Sequence, residues 1–211
     1  MPPGYHRLMD YEAFRTAVRA RRTVRAYRPE AIDARLIERA IEDACWSPSA
    51  HHTQPWRFAL VTSEPQRRRL AEAMGDKWRQ DLSGDELSPG LVEGQLKGSR
   101  VRLGKAQALL VVCLDQTDLD RYPDERRQAA ERDMGVQSIG AAIQTLLLSL
   151  HLQGLGACWM CAPLFCPEVV QETLDLPSAW EPQALITIGR QVEPPPVPAR
   201  RPLDESLLLR V

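Results

Sequence analysis

The chain has 211 residues and a formal net charge of −1, so its overall charge provides no general attraction for nucleic acid or anionic lipid. Its five cysteines lack the spacing of a secreted disulfide framework, and its first nine residues contain no hydrophobic secretion signal, which favours a reduced, cytoplasmic protein. The length suits one large domain or two small ones, and the absence of internal repeats favours a single domain over residues 1–211.

The N-terminal part of the chain predicts a short amphipathic helix over residues 10–20, with Tyr11, Phe14 and Val18 on one face. An arginine-rich segment follows, consisting of Arg21, Arg22, Thr23, Val24 and Arg25. Such a segment is either a solvated surface or a binding site for phosphate, because each guanidinium fork can bond two oxygens and the threonine adds a hydroxyl.

A second helix is predicted over residues 32–45, with Asp33 as its N-cap. The loop after it, residues 47–56, contains two prolines together with His51 and His52. The prolines restrict its backbone, so its polar side chains could be held in fixed directions to bond the edge of a heterocycle. The alternative is a structured surface loop. A metal site is disfavoured because the sequence places no carboxylate or thiolate near the two histidines.

Strands are predicted at residues 57–62, 108–114 and 184–189, and further helices at residues 65–74 and from Pro167. Between them, residues 75–104 are polar and rich in glycine, which predicts a lid or insertion with one or two weak helices. Glu193 to Pro202 contains five prolines, so residues 193–211 are predicted to form an extended C-terminal arm that ends in apolar leucines.

The longest apolar pattern in the chain runs over residues 134–152 and predicts a helix buried on nearly all sides, at the centre of the fold or of a dimer. Polar residues interrupt the pattern, which argues against a membrane span. The helix is predicted to end at Gly154, and Gly156 follows closely. The two glycines allow either close approach of a flat ligand or simply a helix cap and a buried strand. Cys158, Cys161 and Cys166 favour core packing over a zinc site, since no second cysteine pair or nearby histidine accompanies them.

Four segments in this order resemble the flavin-dependent nitroreductase family: residues 21–25, residues 47–56, residues 154–159, and Ile188-Gly189 ahead of the proline-rich arm. The resemblance extends over about residues 12–208. It implies an α+β fold with a central mixed sheet flanked by helices. It also implies a homodimer built around the long central helices, with an exchanged C-terminal arm and FMN bound at the interface.

The same resemblance implies a role for individual residues. Arg21, Arg22 and Thr23 would contact the FMN phosphate and ribityl chain, and Arg25 the pyrimidine end of the ring. Ser49, His52 and Gln54 would reach the flavin from the partner subunit, although the family usually has asparagine at the position of His52. The remaining expected contacts are Gly156, Ala157, Cys158 and Trp159 along the ring, and Arg200 or Arg201 at the phosphate.

A more specific likeness concerns the histidine loop, the lid, and the segments around Tyr122 and Trp180. They resemble the reductase domain that is fused to a glutamyl ligase in the biosynthesis of the deazaflavin coenzyme F-420. The implied function is therefore FMN-dependent reduction of a small molecule, with a deazaflavin precursor as one substrate. The alternatives are a general NAD(P)H-dependent quinone or nitroaromatic reductase, and a flavin- or deazaflavin-binding protein without catalysis.

Overall fold

The computed structural model describes residues 10–83 and 89–207. Within these residues, six α-helices flank four strands. The helices are α1 (Tyr11–Ala20), α2 (Ala34–Ala44), α3 (Glu64–Leu82), α4 (Pro89–Lys105), α5 (Glu125–Leu152) and α6 (Pro167–Leu174). The strands are β1 (Trp56–Val61), β2 (Ala108–Asp115), β3 (Gly156–Met160) and β4 (Trp180–Gly189). The predicted α+β fold is confirmed.

The strands form one sheet in the order β1-β2-β4-β3, and all three pairings are antiparallel. The expectation of a mixed sheet was therefore wrong for the pairings that the described residues make among themselves. Parallel pairing in the described chain is limited to an isolated bridge between Thr23 and Ala157. Strands β2 and β3 are both antiparallel to β4, so they run in the same direction, and α5 is the crossover helix that joins them.

Strand β2 is buried along its whole length because helices cover both faces of the sheet. Leu110, Val112 and Leu114 pack in the core cluster that α2 and α5 share, whereas Leu109 and Val111 pack in the cluster that includes α3 and α6. This alternation follows from the two-residue period of a strand. The prediction of an interior strand here is confirmed.

Helix α5 begins at Glu125 rather than at Met134, because Asp124 caps it by accepting a hydrogen bond of 3.0 Å from the Arg127 amide. Its C-terminus matches the prediction. Gly154 has a φ of 77°, and the Leu155 amide donates to the Leu150 carbonyl at 2.9 Å, which closes a Schellman cap. The helix is long and apolar enough to cross a membrane, but half of the most apolar window is buried inside the chain.

The region predicted as a lid consists of two helices. Helix α3 continues beyond Met74 to Leu82, and α4 packs beside it, so that a Cβ on Gly75 would lie 3.2 Å from Arg100 Nε. The arm beyond Gly189 is extended and mostly exposed. Its apolar end at Leu208 and Leu209 lies outside the described residues.

Candidate functional site

A small pocket forms where the end of α1, the end of α5, the start of β3 and the start of the arm meet. It has a volume of about 50 Å³, which is room for a small anion but far below that of a whole cofactor site. Its polar lining comes from Arg21, Arg22, His151 and Gln191, and Gly156 and Ala157 form its floor. No acidic residue lines it among the described residues.

The electrostatics of this pocket are positive. Burial lowers the pKa of His151 from its ordinary value of 6.5, and the charges of Arg21 and Arg22 lower it further. Arg22 is held against its own turn, where its guanidinium donates to the Arg21 carbonyl at 2.8 Å and to the Arg19 carbonyl. A bound anion would offset the repulsion among these groups, so the pocket has the chemistry of a phosphate site.

Thr23 and Val24 bind directly to the first residues of β3. Val24 donates its amide to the Ala157 carbonyl at 2.9 Å, and Thr23 bridges to the same residue. A Cβ on Gly156 would lie 2.8 Å from Val24 Cγ1, closer than real contacts allow. Gly156 is thus required by the packing of Val24. Together with the cap at Gly154, this supports a helix cap and buried strand as the reason for both glycines.

The middle of β3 lies beside two cations from different parts of the chain. Burial raises the pKa of the Cys158 thiol, while the nearby Arg25 and Arg102 guanidinium groups lower it. Arg25 belongs to the segment after α1 and Arg102 to α4, so the two-helix lid reaches the strand predicted to line the flavin. The next residue, Trp159, is 39% exposed. Cys158 and Cys166 are buried, as core packing predicts, and Cys161 is exposed.

A second, larger cavity of about 640 Å³ lies between α3, α4 and the end of β3. Most of the side chains that line it are aromatic, aliphatic or thioether groups, and the charged residues in the lining are Arg102 and Asp81. The principal apolar contributors are Met74, Trp78, Leu103, Met160 and Phe165. This volume falls in the range of small-molecule sites.

Ser49, His52 and Gln54 lie together on the turn before β1. The Ser49 hydroxyl accepts from the Gln54 amide at 3.1 Å, and the Gln54 and His52 side chains lie 3.1 Å apart at their Nε2 atoms. Strands β1 and β3 occupy opposite edges of the sheet. The two strands are three spacings apart, about 14 Å across the sheet. The register also sets them apart along the strands, because Trp56 is level with Glu181 of β4 whereas Gly156 pairs with Gly189, roughly 26 Å further along. The turn therefore does not join the arginine pocket within one chain.

The arginines of the arm are also apart from that pocket. Arg201 lies 3.9 Å from Glu205, and both Arg200 and Arg201 are exposed. Within the described chain neither makes a hydrogen bond or ion pair to residues 21–23. The arm residues that do line the pocket are Gln191, Pro194 and Pro195, at its beginning.

Two residues of the arginine pocket were missed by sequence reasoning: His151 and Gln191. His151 follows Leu147 by one helical turn, so the two side chains lie on the same face of α5. The helical period could therefore have placed His151 next to Leu147. Gln191 carries no comparable signal, because the sequence does not show which part of the arm returns to β3.

The fold is that of an α+β protein with a positively charged pocket at the junction of a helix end and an edge strand. The sequence profile of the nitroreductase family matches residues 18–190, and the chain belongs to that family. The chain is 24% identical over 203 residues to YfhC of Bacillus subtilis, described as an NAD(P)H nitroreductase, with 96% of this chain and 97% of that protein covered.

Two further comparisons bear on the site. The chain is 30% identical over 194 residues to the 5,6-dimethylbenzimidazole synthase of Rhodospirillum rubrum, with 84% and 82% of the two chains covered. It also superimposes with a TM-score of 0.72 and 23% identity on a Desulfovibrio desulfuricans protein described as a nitroreductase and solved in complex with FMN. That comparison covers 96% of this chain and 99% of the other.

Proposed function

We propose that the protein is an FMN-dependent oxidoreductase that passes electrons from NAD(P)H to a flat, largely apolar aromatic acceptor such as a quinone or nitroaromatic. The observation that carries the proposal is the position of β3. The strand begins at the positive pocket and ends at the 640 Å³ apolar cavity. Its five residues span about 13 Å, a length that suits a phosphate, a ribityl chain and the near part of a ring.

The residues fit FMN at its charged end. The cluster of Arg21, Arg22 and His151 would hold the phosphate, and Arg25 would lie along β3 where the ring belongs. Bound FMN would supply the hydride-transfer chemistry that no side chain provides. Arg25 would stabilise negative charge that develops on the reduced ring.

The charges of the lid favour an apolar acceptor over a polyanionic deazaflavin precursor. Asp76 pairs with Arg79 at 2.8 Å and with Arg100 at 3.0 Å, Arg79 also pairs with Glu93 at 2.9 Å, and Lys77 pairs with Asp81. The positive charges of Lys77, Arg79 and Arg100 are therefore already paired with carboxylates of the lid. The case for reduction of a coenzyme F-420 precursor therefore depends on the sequence resemblance to the reductase domain of that pathway. Arg102, which lines the cavity, is the cation that would face such a precursor.

A second candidate function is the synthesis of 5,6-dimethylbenzimidazole. The 30% identity to the Rhodospirillum rubrum synthase is the observation that favours it. In either case we propose a cytoplasmic homodimer, in which the turn carrying Ser49, His52 and Gln54 completes the flavin site of the other subunit and the arm is exchanged. The separation of the two half-sites on opposite sheet edges supports this arrangement.

Absorbance spectroscopy tests the proposal directly. The purified protein reconstituted with FMN should be yellow, should bleach anaerobically with NADH or NADPH, and should regain colour on addition of menadione or nitrofurazone. A yellow protein that no reduced nicotinamide bleaches would contradict the proposal. Parallel reoxidation with a dehydro deazaflavin precursor, and chromatography for 5,6-dimethylbenzimidazole after aerobic incubation, distinguish the other two functions.

A further inference from the structure

Three potential metal ligands converge on the side of the molecule that carries the histidine turn. His51 comes from the turn before β1, Asp120 from the loop between β2 and α5, and Glu131 from α5 itself. One ligand atom from each lies within 4.8 Å of the other two. No carboxylate lies close to His51 along the chain, but the fold brings two of them to it.

Glu131 supplies an independent reason to expect a cation here. The residue is 1% exposed. One of its oxygens accepts a hydrogen bond of 3.3 Å from the Asp120 amide, whereas Oε2 is fully enclosed and has no hydrogen-bond partner. Within the described residues Glu131 also has no ion pair. Burying a carboxylate without a full set of partners is costly, and a cation would provide the missing one.

We propose that His51, Asp120 and Glu131 bind a divalent metal ion of the manganese-to-zinc series. One imidazole and two carboxylates form a donor set that such ions accept, with water completing the coordination. Metal–ligand bonds of about 2.0–2.2 Å require ligand atoms roughly 3–4 Å apart. His51 and Asp120 are exposed and need to close by a small distance only, around the fixed oxygen of Glu131.

Metal binding would add a further tie between the histidine turn and α5. The existing ties are hydrogen bonds. The Ala50 amide donates to Ser138 Oγ at 3.2 Å, and the Ser47 hydroxyl lies 2.8 Å from the Thr145 hydroxyl and 3.3 Å from the Ala141 carbonyl oxygen. The turn also carries Ser49 and Gln54, so the ion would position the residues proposed to reach the flavin. Its role is structural, and it requires no part of the redox reaction.

Manganese titration of the protein tests the proposal without reference to activity. After treatment with a chelator and dialysis, the full chain is titrated with Mn²⁺ while the electron paramagnetic resonance signal of free Mn²⁺ is recorded. Zn²⁺ competition is measured in parallel. We expect one ion per chain, and a loss of affinity of about tenfold to a hundredfold or more in Asp120→Asn and in His51→Asn.

The matched control is Asp118→Asn, which removes an exposed carboxylate from the same loop and should leave the affinity unchanged. Glu131→Gln should also abolish binding, and circular dichroism checks that it folds. Because Asp120 and His51 are exposed, their variants keep the test valid if Glu131→Gln does not fold. Absence of binding by the wild type at millimolar metal, or equal binding by the wild type and both exposed-ligand variants, would overturn the proposal.

Discussion

At the scale of single residues, Gly156 shows that close packing against the protein itself can require a glycine, just as close approach of a bound ligand can. An added Cβ would meet all three side-chain carbons of Val24 within 2.9 Å. We expect Gly156→Ala to lower the free energy of unfolding by roughly 1–3 kcal/mol, measured by urea denaturation. Gly94→Ala is the control, because Gly94 lies inside α4 with open space around it and should gain slight helix stability.

The explanation by Val24 can be separated from a general intolerance at this position. In a double-mutant cycle, Val24→Ala should cost less in the Gly156→Ala background than in the wild type, because it removes two of the three carbons that the added Cβ would meet. Equal costs in both backgrounds would mean that Val24 is not the reason for the glycine.

His151 gives a pH dependence whose sign follows from its environment. Its pKa in the folded apoprotein is below the ordinary 6.5, because burial and then Arg21 and Arg22 disfavour the protonated ring. The unfolded chain therefore takes up this proton at higher pH than the folded chain, and the free energy of unfolding falls as the pH decreases below about 6.5. His151→Gln should show a smaller fall than the wild type in urea denaturation between pH 7.5 and pH 5.5.

An anion in the pocket should change this behaviour. Saturating FMN, or inorganic phosphate in excess, supplies negative charge beside the ring and should reduce the difference between wild type and His151→Gln. If the anions leave that difference unchanged, the arginine pocket is not the phosphate site.

Arg25 is expected to act on the reduced state of the flavin more than on binding. It lies beside the buried strand segment at Cys158, and it is not part of the polar lining of the arginine pocket. We expect Arg25→Ala to slow anaerobic FMN reduction about tenfold or more, with a smaller effect on the dissociation constant. Arg28→Ala, which removes a nearby exposed arginine, is the control for loss of charge in general. Loss of FMN with normal reduction rates would identify Arg25 as a phosphate ligand instead.

At the scale of elements, capping and burial decided which predictions succeeded. The Asp33 side chain accepts from the Arg35 amide at 3.0 Å, so the predicted start of α2 is confirmed. The true starts of α5 and β4 lie outside their apolar runs. Glu181 at the start of β4 is stabilised by Arg132, a contact between distant segments, and Pro182 pairs with Cys113 beside a β-bulge. Local periodicity contains no information about either contact.

The lid was under-predicted for a related reason. Glycine and polar residues in 75–104 are typical of loops, but α3 and α4 stabilise each other as a pair, with Gly75 placed against Arg100 and with ion pairs across the two helices. Tertiary contacts override weak helix propensity here. The consequence for function is a cavity with a wall formed by two packed helices.

Phe165 tests whether that cavity is the acceptor site. It lines the cavity from the turn after β3, and its neighbour Leu164 does not. Phe165→Ala should weaken binding of an aromatic acceptor by about 1 kcal/mol, which raises its KM roughly fivefold, with FMN content unchanged. Leu164→Ala is the matched control in the same turn. Equal KM values for Phe165→Ala and wild type would remove the cavity from the acceptor pathway.

At the scale of the whole molecule, the family resemblance predicted the fold. The residues predicted to bind the flavin, however, come together only in part within one chain. Sequence reasoning found Arg21, Arg22 and the start of β3, which the fold brings together. It also grouped Ser49, His52 and Gln54, which lie together on another edge of the sheet. Whether the two groups meet depends on assembly, which follows from surfaces and not from any local pattern.

Those surfaces favour a dimer. Helix α1 buries none of its residues, although Tyr11, Phe14 and Val18 form an apolar face that is 40–69% exposed, and Leu152 at the end of α5 is 70% exposed. An amphipathic helix retains such a face when another surface covers it.

We expect sedimentation to give a dimer at micromolar concentration. Phe14→Glu should shift the protein towards monomer, with loss of bound FMN because the two half-sites separate. Leu91→Glu, on the exposed side of α4, should remain dimeric. A wild-type monomer that binds one FMN per chain would contradict a flavin site shared between subunits. Residues from two opposite edges of the same sheet would then have to reach a single FMN molecule.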